Sequence, residues 1–523
     1  MSERYNAAAW LLDRNVELGR GGRAALRCRG ETTTYEELLG EAWRVQNALR
    51  ELGIGRGKRV AMVVNDEAAF PAWFLGAQRS GVVPVPLSTM LTAGELAPIV
   101  ADAQARALVV SDEYADRVEP IVKGAETLAH VVVLGNEGDD AADAADAAVG
   151  AGAAVHRWAS LADRSEAPAA DTERASQAFW LYSSGTTGAP KGVMHVHASL
   201  QATADTYAAQ VLEVTPEDRF FSVAKLFFAF GLGNSLTFPF SVGATAVLEP
   251  SRPTPAAVAE LVAREQPSLF FASPGFVAGL LDAGAPAEAF ASVRATVTAG
   301  ESLPADLQRR FSARMGHPVL DGIGSTEALH IFISNTLTEQ TPGASGRPVP
   351  GYEVELRDDE DRPVTAPDTP GYLHVRGPST AVGYWQRPDA TAAAFRDGAL
   401  RTGDVYVRSA EGVWTFLGRN NDMIKAGGIW VSPAEVEGVL IEHPDVLEAA
   451  VVGARNESGL ETTVAFVVPA SGAVLDLAEL TEHCRARMAA FKRPREVHVV
   501  AELPKTATGK IRRFALRETL EQR

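Results

Sequence analysis

Residues 183–192, SSGTTGAPKG, place hydroxyl groups, glycines and one lysine directly after the apolar run AFWLY. Hydroxyls and uncovered backbone N–H groups donate to phosphate oxygens, glycines allow close approach, and a lysine adds a positive charge. The segment is not a P-loop, which has the form G-x-x-x-x-G-K-[ST] at the start of a helix. Taken alone, this composition also fits a flexible surface loop. The phosphate-binding interpretation selects Ser183, Ser184, Gly185, Thr186, Thr187, Gly188 and Lys191.

A second cluster, LDGIGSTE at 320–327, ends an apolar run in a glycine-rich turn that carries Ser325, Thr326 and Glu327. Mg²⁺ takes one or two carboxylates together with substrate phosphates and water. A carboxylate beside hydroxyls is therefore a candidate magnesium ligand. Further turns carry charge, and each alone fits an ordinary turn or a solvated tail. They are RTGD at 401–404, GR at 418–419 and PKTATGKI at 504–511.

Composition excludes several classes of protein. The net charge of -17 argues against a nucleic-acid or anionic-membrane surface as the main partner. No run approaches 18 uninterrupted apolar residues and the first residues carry no signal-peptide core, so we expect a cytoplasmic protein without a membrane partner. Cys28 and Cys484 give neither zinc-ligand spacing nor a disulfide framework.

The elements that position these clusters follow from the hydropathy pattern. Short β-branched runs alternate with helical stretches, which predicts an α/β fold with largely parallel sheets. Short strands and turns from about 350 to 419 predict a small barrel-like subdomain, and an α+β pattern follows. The predicted domains are 1–419 and 420–523, with a boundary in the polar run 418–422.

All the clusters occur in one chain in one order, which independent surface turns do not explain. Together they resemble the acyl-adenylate-forming superfamily of acyl-CoA synthetases, adenylation domains and luciferases, from about residue 30 to the end. Three segments closely resemble benzoate-CoA ligases, namely AKLFFAFGLGN at 224–234, GSTEALHIFISN at 324–335 and SGRPVPGYEVELRD at 345–358. The resemblance implies activation of an aromatic acid with ATP.

The resemblance also implies a role for each residue. Ser183 to Lys191 and Thr326 would hold the ATP phosphates, Glu327 would ligate Mg²⁺, and Lys510 would bridge the substrate carboxylate and the α-phosphate. Adenine and ribose would be held by Ala299, Gly300, Glu301, Asp321, Gly322, Ile323, Ser325, Asp404 and Arg419. The aromatic ring would be enclosed by Ala229, Phe230, Ala299, Gly324, His330 and Ile331.

The same resemblance makes residues 420–523 a mobile lid. Lys425 would enter the site for thioester formation, and Gly427 and Gly428 would flank a pantetheine tunnel, which favours coenzyme A as the acceptor. Asn421 stands where the superfamily usually has an Asp or Lys hinge. We therefore expect the lid to rotate about Asn421, presenting Lys510 for adenylation and Lys425 for transfer.

The leading hypothesis is an ATP-dependent aryl-CoA ligase that uses Mg²⁺ and coenzyme A and acts on benzoate or a substituted benzoate. A second hypothesis is a stand-alone aryl-adenylating enzyme that loads a carrier protein. A distant third is a non-catalytic ATP-binding switch. The sequence leaves open the ring substituents and the oligomeric state, for which a homodimer is one candidate.

Overall fold

The computed structural model describes residues 4–135, 152–183, 190–426, 429–455, 461–505 and 511–521. For residues 425, 426, 429, 430 and 521 it describes the backbone alone. The chain divides into two compact units. The first comprises Met1–Arg252, Ser325–His330 and Gly377–Phe395. The second comprises Pro253–Gly324, Ile331–Arg376 and Arg396–Arg523.

The first unit contains a five-stranded, fully parallel sheet. In sheet order its strands are Val83–Pro86, Arg59–Val63, Ala105–Ser111, His130–Leu134 and Ala154–Arg157. Alternate residues of Arg59–Val63 enter two different hydrophobic clusters, so both faces of the sheet are buried. Burial on both faces explains the uninterrupted apolar run RVAMVV, because such a strand has no solvent face to mark with polar residues. The predicted parallel sheets are confirmed.

Four more strands of this unit lie side by side in the order Arg219–Ser222, Thr245–Leu248, Ala24–Cys28 and Glu31–Thr34. The first three are parallel, and the last two form an antiparallel pair. Thr34 then begins the helix Tyr35–Glu51 with a capping box to Glu37, which satisfies free N–H groups of the first turn. A smaller antiparallel sheet has the order Gly383–Tyr384, Lys191–Val196 and Gln177–Ser183.

The remaining helices of the first unit cover or connect these sheets. Its α-helices are Ala69–Arg79, Ala93–Asp102, Val118–Gly124, His197–Thr203, Ala229–Leu232, Phe238–Val242 and Pro388–Ala394. Its π-helical turns are Ala9–Asp13, Val16–Arg20, Ala204–Ala208 and Gly233–Thr237. Its 3₁₀ turns are Asp112–Arg117 and Trp158–Ser160.

The second unit begins with an α/β portion. Its strands lie in the order Arg347–Pro348, Ile331–Ser334, Val319–Gly324, Ala295–Thr298 and Leu269–Ala272. The last three are parallel to one another and the first two join antiparallel. The helices and turns of this portion are Pro255–Glu265, Pro274–Asp282, Ala287–Phe290 and Ala305–Met315.

Strands after residue 350 form an antiparallel sheet in the second unit, in accord with the predicted β-rich pattern, whereas its closure into a barrel stays a prediction. Its main strands are Glu353–Arg357, Gly371–Arg376, Ala399–Arg408 and Trp414–Arg419, and the short strand Phe395–Arg396 joins the third of them.

The α+β pattern predicted for the end of the chain is present. Its strands are Ile424–Ala426, Ile429–Val431, Val446–Arg455, Glu461–Pro469 and Glu496–Val499. Its helices are Pro433–Ile441, Leu477–Arg487 and Arg513–Glu521, and the turn Asn420–Asp422 precedes them. The domain boundary at residue 419 stays a prediction. None of the helices in the described ranges is long and apolar enough to cross a membrane.

Candidate active site

The turn Ser325–His330 carries four of the predicted site residues and belongs to the first unit. The carbonyl oxygens of three consecutive residues each accept a hydrogen bond from elsewhere in that unit. His195 Nε2 lies 2.8 Å from the Thr326 oxygen, the Ala381 N–H bonds the Glu327 oxygen at 2.8 Å, and Ser379 Oγ bonds the Ala328 oxygen at 2.6 Å. The backbone of the turn is therefore held from outside at three consecutive residues.

The turn is also held from within and departs from ordinary backbone geometry. Ser325 Oγ accepts the N–H of Ala328 at 3.1 Å, so this predicted nucleotide-binding hydroxyl also shapes the turn. Leu329 has a φ of 68°, in the left-handed region that a branched side chain rarely adopts. Such conformations persist where the surroundings determine the backbone, and they are common at functional sites.

Glu327 contacts Ser183, at the start of the predicted phosphate loop, and Tyr384, which also contacts Lys191 at its end. Its Oε1 accepts the hydroxyl of Tyr384 at 2.9 Å and lies 3.5 Å from Ser183 Oγ. Lys191 Nζ lies 5.2 Å from the centre of the Tyr384 ring. The first unit thus brings Ser183, Lys191 and Glu327 together. The intervening residues Ser184, Gly185, Thr186, Thr187 and Gly188 lie outside the described residues.

Tyr384 is a site residue that sequence analysis missed. It pairs with Val193 in the small antiparallel sheet, which places its hydroxyl on the Glu327 carboxylate. Burial, followed by the charge of Glu327, raises the pKa of its phenol, so the hydroxyl donates to the carboxylate as a neutral group. A tyrosine between Gly383 and Trp385 fits an ordinary strand equally well, so no local signal identified it.

His330 lies at the centre of a buried aromatic cluster in the first unit. Its ring centre is 4.5 Å from that of Phe238, 5.2 Å from that of Tyr207 and 5.5 Å from that of Phe230. A Cβ atom on Gly233 would lie 2.3 Å from His330 Cδ2, so only glycine fits at that position. The cluster brings together His330 and Phe230 from the predicted ring pocket, and Ala229 immediately precedes Phe230.

The orientation of His330 is set by a chain of buried polar groups. Asn234 Nδ2 donates to Ser222 Oγ at 3.3 Å, and the Ser222 hydroxyl donates to the Ala224 carbonyl at 3.0 Å. Asn234 Oδ1 therefore faces His330 Nε2, 3.1 Å away, and accepts a hydrogen bond from its N–H. Burial lowers the pKa of His330 to about 3, opposed by the backbone of Phe230. The imidazole is neutral at physiological pH.

In the second unit, the predicted adenine residues follow two adjacent parallel strands. Thr298 ends one strand and pairs with Asp321 of the next, and its hydroxyl donates to Asp321 Oδ1 at 2.9 Å. Burial raises the pKa of the Asp321 carboxyl well above its usual value. Segments at the carboxyl ends of parallel strands are the usual ligand positions of such sheets. They are Ala299, Gly300 and Glu301 after the first strand, and Gly322, Ile323 and Gly324 in the second.

Gly324 and Ile331, both predicted to contact the ring, are cross-strand partners in the second unit. Asp404 and Arg419 are also cross-strand partners, and Arg419 Nε lies 2.9 Å from Asp404 Oδ1. Arg419 Nη1 additionally donates to the Thr402 carbonyl at 2.9 Å. The predicted ribose-binding side chains thus meet as an ion pair.

The segment that leads to Lys510 reaches the predicted adenine residues within the second unit. Lys505 Nζ lies 2.6 Å from Glu448 Oε1, and Glu301 Oε2 accepts the N–H of Gly275 at 3.2 Å. A Cβ atom on Gly275 would lie 3.4 Å from Glu301 Oε2 and 4.0 Å from Lys505 Nζ, so these groups share one junction. Lys510 itself lies outside the described residues.

The other predicted lid residues are only partly described. Lys425 lies in the strand Ile424–Ala426, but its side chain is outside the described atoms, and Gly427 and Gly428 are outside the described residues. Asn421 lies in the turn Asn420–Asp422. The next residue, Asp422, pairs with Arg517 of the last helix.

The donor set around Glu327 fits magnesium delivered with a nucleotide. Within the described ranges, no group of three or more His, Cys, Asp or Glu side chains could hold a metal ion by itself. A single half-buried carboxylate beside hydroxyls and a lysine matches the needs of Mg²⁺, which takes most of its ligands from phosphate and water.

Comparison with known proteins gives matches over nearly the whole chain. Residues 12–385 match the model of the AMP-binding enzyme family, and residues 435–510 match that of the AMP-binding enzyme C-terminal domain.

The chain is 45% identical to the benzoate-CoA ligase of Thauera aromatica over 98% of its own length and 96% of that protein. It is 41% identical to the 4-hydroxybenzoate-CoA/benzoate-CoA ligase of Rhodopseudomonas palustris, over 98% and 94% of the two chains.

Two solved structures are similar over their full lengths. An anthranilate CoA ligase, AuaEII, in complex with anthranoyl-AMP superposes with a TM-score of 0.91 at 37% identity, covering 99% of this chain and 98% of that one. A benzoate CoA ligase from Burkholderia xenovorans LB400 has a TM-score of 0.86 at 40% identity, with 98% and 100% covered.

Proposed function

Because the chain belongs to the AMP-binding enzyme family, we propose that it is an ATP-dependent aryl-CoA ligase for benzoate or a close derivative of benzoate. In the first half-reaction, a carboxylate oxygen of the acid attacks the α-phosphorus of ATP, giving aroyl-AMP and pyrophosphate. In the second, the thiol of coenzyme A attacks the aroyl carbon, releasing AMP and a proton and giving the thioester.

The proposal rests above all on the turn Ser325–His330, which serves two purposes within six residues. Glu327 lies beside Ser183 and near Lys191, where phosphate is expected, while His330 lies among aromatic rings. Three residues of chain span at most about 11 Å. An acid whose ring reaches His330 while its carboxylate is activated beside Glu327 must therefore be short, which favours a benzoate over a long-chain acid.

The side chains of this turn act on charge. Adenylation brings an anionic carboxylate up to an anionic phosphate, so positioning and charge neutralisation are the main demands. Glu327 would hold Mg²⁺, which supplies positive charge to the phosphate oxygens. Ser183 and Thr326 would donate to phosphate oxygens, and Lys191 adds a positive charge. Tyr384 keeps one oxygen of Glu327 hydrogen-bonded and so orients the carboxylate.

The ring-binding residues act by shape and neutrality. His330 is uncharged and held by Asn234, so it presents a flat neutral face in a cluster with Phe230, Phe238 and Tyr207. Stacked and edge-on aromatic contacts favour a planar ring over an alkyl chain.

The roles of the other predicted site residues are part of the same proposal. Asp404 and Arg419 would hold the ribose, and the segments around Ala299 and Gly322 would hold adenine. Lys510 would act in adenylation and Lys425 in thioester formation, with rotation about Asn421 between the two steps. The contact of Lys505 and Glu448 beside Gly275 supports an orientation in which the Lys510 segment is near the adenine residues. A homodimer and a cytoplasmic location remain expectations from the sequence.

The test is a panel of benzoate and its hydroxy, amino, fluoro and methyl derivatives, with AMP and aroyl-CoA formation measured in the presence of coenzyme A. We expect benzoate or one close derivative to give the highest kcat/KM and fatty acids to give none. Carboxylate-dependent pyrophosphate exchange without any aroyl-CoA would favour loading of a carrier protein. ATP binding without carboxylate-dependent pyrophosphate release would contradict both the ligase hypothesis and the carrier-protein hypothesis.

A further inference from the structure

His195 is fully buried, and its ring makes one polar contact with the described residues of the first unit. The ring stacks on Phe179, with centres 5.0 Å apart and planes 15° from parallel. Its Nε2 lies 2.8 Å from the carbonyl oxygen of Thr326. A carbonyl oxygen only accepts, so Nε2 must carry the proton and the tautomer of His195 is fixed.

The second ring nitrogen, Nδ1, takes no part in this hydrogen bond. Nδ1 of His195 is buried and has no hydrogen-bond partner in the part of the chain that the structure describes. Burial lowers the pKa of the imidazole to about 4, so the ring is neutral at physiological pH. Nε2 of His197 is likewise buried without a described partner, so what distinguishes His195 is the group that its bonded nitrogen holds, the carbonyl of Thr326.

The position of His195 in its strand shows which two segments this hydrogen bond connects. The strand Lys191–Val196 begins with the lysine of the predicted phosphate loop, and Ser183 pairs with Lys191 across the hairpin. His195 pairs with Phe179 in the same hairpin. The bond to Thr326 therefore ties the hairpin that carries both ends of the loop to the turn that carries Glu327.

We propose that His195 is a positioning residue for adenylation, whose Nε2–H holds the Thr326 carbonyl and thereby sets Thr326 and Glu327 against the two ends of the phosphate loop. The proposal rests on the proposed function, since it assumes that this turn binds Mg·ATP. His195 touches neither the nucleotide nor the acid and acts through the turn. Loss of a residue that orients metal ligands typically costs about 10- to 100-fold in affinity or activity.

His197 provides a matched control two residues away. It is equally buried, and burial lowers its pKa to about 4 as well. Its Nδ1 accepts the N–H of Ala7 at 3.0 Å and its described contacts do not include the turn. Replacing His197 removes a buried imidazole from the same region of the core while leaving the Thr326 carbonyl untouched.

The experiment compares the full-length variants His195→Gln, His195→Asn and His197→Asn. Gln can place an N–H near the position of Nε2, whereas Asn is too short to reach Thr326. Binding of Mg²⁺ with a non-hydrolysable ATP analogue and binding of adenosine are measured by calorimetry. Each variant is also assayed for pyrophosphate exchange and for transfer from supplied aroyl-AMP to coenzyme A, and its thermal unfolding is recorded.

We expect His195→Asn to weaken the Mg·ATP analogue at least tenfold, with adenosine binding and transfer from aroyl-AMP within threefold of the parent. His195→Gln should recover most of the affinity for the Mg·ATP analogue. His197→Asn should bind the analogue as tightly as the parent, even if its unfolding temperature is lower. Equal Mg·ATP affinity in His195→Asn and His197→Asn overturns the positioning role. If His195→Asn does not fold, Ser379→Ala, which frees the Ala328 carbonyl of the same turn, must show the same selective loss or the role is rejected.

These outcomes separate the positioning role from the proposed function. If the parent protein binds Mg·ATP but no acid on the panel supports pyrophosphate exchange, the ligase function fails and the binding comparison still decides the role of His195. If the parent is an active ligase and its affinity for Mg·ATP does not depend on His195, only the positioning role fails.

Discussion

The turn Ser325–His330 and the pair Asp404–Arg419 are both predicted to hold the nucleotide, yet they are built in opposite ways. The turn is fixed by hydrogen bonds to its backbone carbonyls from residues distant in sequence, which leaves Thr326 and Glu327 half-buried and able to meet a ligand. The pair is fixed by strand register, and its side chains hold each other. The geometry of the turn therefore depends on distant residues that bond its carbonyl groups. The geometry of the pair depends only on the pairing of two adjacent strands.

The largest effect is expected at Glu327, where the turn presents its carboxylate. Glu327→Gln should lower the rate of pyrophosphate exchange by about 100- to 1000-fold, because one preorganised group on the developing charge is typically worth that much. Transfer from supplied aroyl-AMP to coenzyme A should stay within threefold. Glu339→Gln, which removes the same charge from an exposed ion pair, is the control. Equal losses in both half-reactions would contradict the assignment of Glu327 to the first step.

Asp66 also holds a segment that is distant in sequence through its backbone. Its buried carboxylate accepts the N–H of Leu226 at 3.1 Å and so anchors the segment before Phe230. Burial raises the pKa of Asp66 from 3.8 to about 6. The folded state therefore binds more protons than the unfolded state between about pH 4 and 6, so the free energy of unfolding should fall as pH rises through that window, by up to about 3 kcal/mol.

Asp66→Asn removes this titration while keeping an acceptor for Leu226. Unfolding measured from pH 4.5 to 7.5 should show the variant gaining stability relative to the parent as the pH rises, with the difference constant above about pH 7. A difference that does not change with pH would show that Asp66 titrates normally and that its burial is smaller than the structure indicates.

A substitution in the pair Asp404–Arg419 should affect the kinetics differently from one in the turn. Asp404→Asn should raise the KM for ATP about tenfold while kcat changes less than threefold, because the ribose is held equally in the ground state and the transition state. The effect should be absent for pyrophosphate and for the acid. A fall in kcat at unchanged KM would mean that Asp404 acts on the chemical step, and the contrast between the two regions would disappear.

The smallest effect is expected at Phe230, which lies beside His330 but is only half-buried. Phe230→Tyr should lower kcat/KM for benzoate relative to a hydroxybenzoate by about fivefold, corresponding to about 1 kcal/mol, the low end of the cost of an unpaired buried hydroxyl. The measurement is the ranking of kcat/KM across the acid panel. An unchanged ranking would remove Phe230 from the ring-binding residues.

The two designs also explain how much could be predicted from the sequence. The parallel sheets follow from runs such as RVAMVV, and the relationship to adenylate-forming enzymes, predicted from the five clusters, is confirmed by the family matches. The ribose-binding roles of Asp404 and Arg419 were predicted from the resemblance, and the expectation that both lie in turns is wrong, because the structure places them in two paired strands. The roles of these side chains, and of the loop residues outside the described ranges, stay predictions.

The supports of the turn could not be found in this way. His195 and Thr326 are 131 residues apart, Asn234 and His330 are 96 apart, and Tyr384 and Glu327 are 57 apart. A histidine in MHVH or a tyrosine in VGYWQ carries no local mark of its partner, since the contact depends on how distant strands pack. Sequence patterns identify residues that meet a ligand more readily than the residues that hold them in place.

The fit between Gly233 and His330 has an evolutionary consequence. A methyl group at 233 would overlap the imidazole, so Gly233→Ala is excluded while His330 is present, whereas a shorter residue at 330 removes this overlap and leaves only a close contact of 3.2 Å with Phe238 Cζ. The two positions are therefore epistatic, and the order of substitutions matters. A lineage or a directed-evolution experiment that reshapes this cluster for a larger acid must shorten residue 330 first, and any substitution at 233 becomes accessible only afterwards.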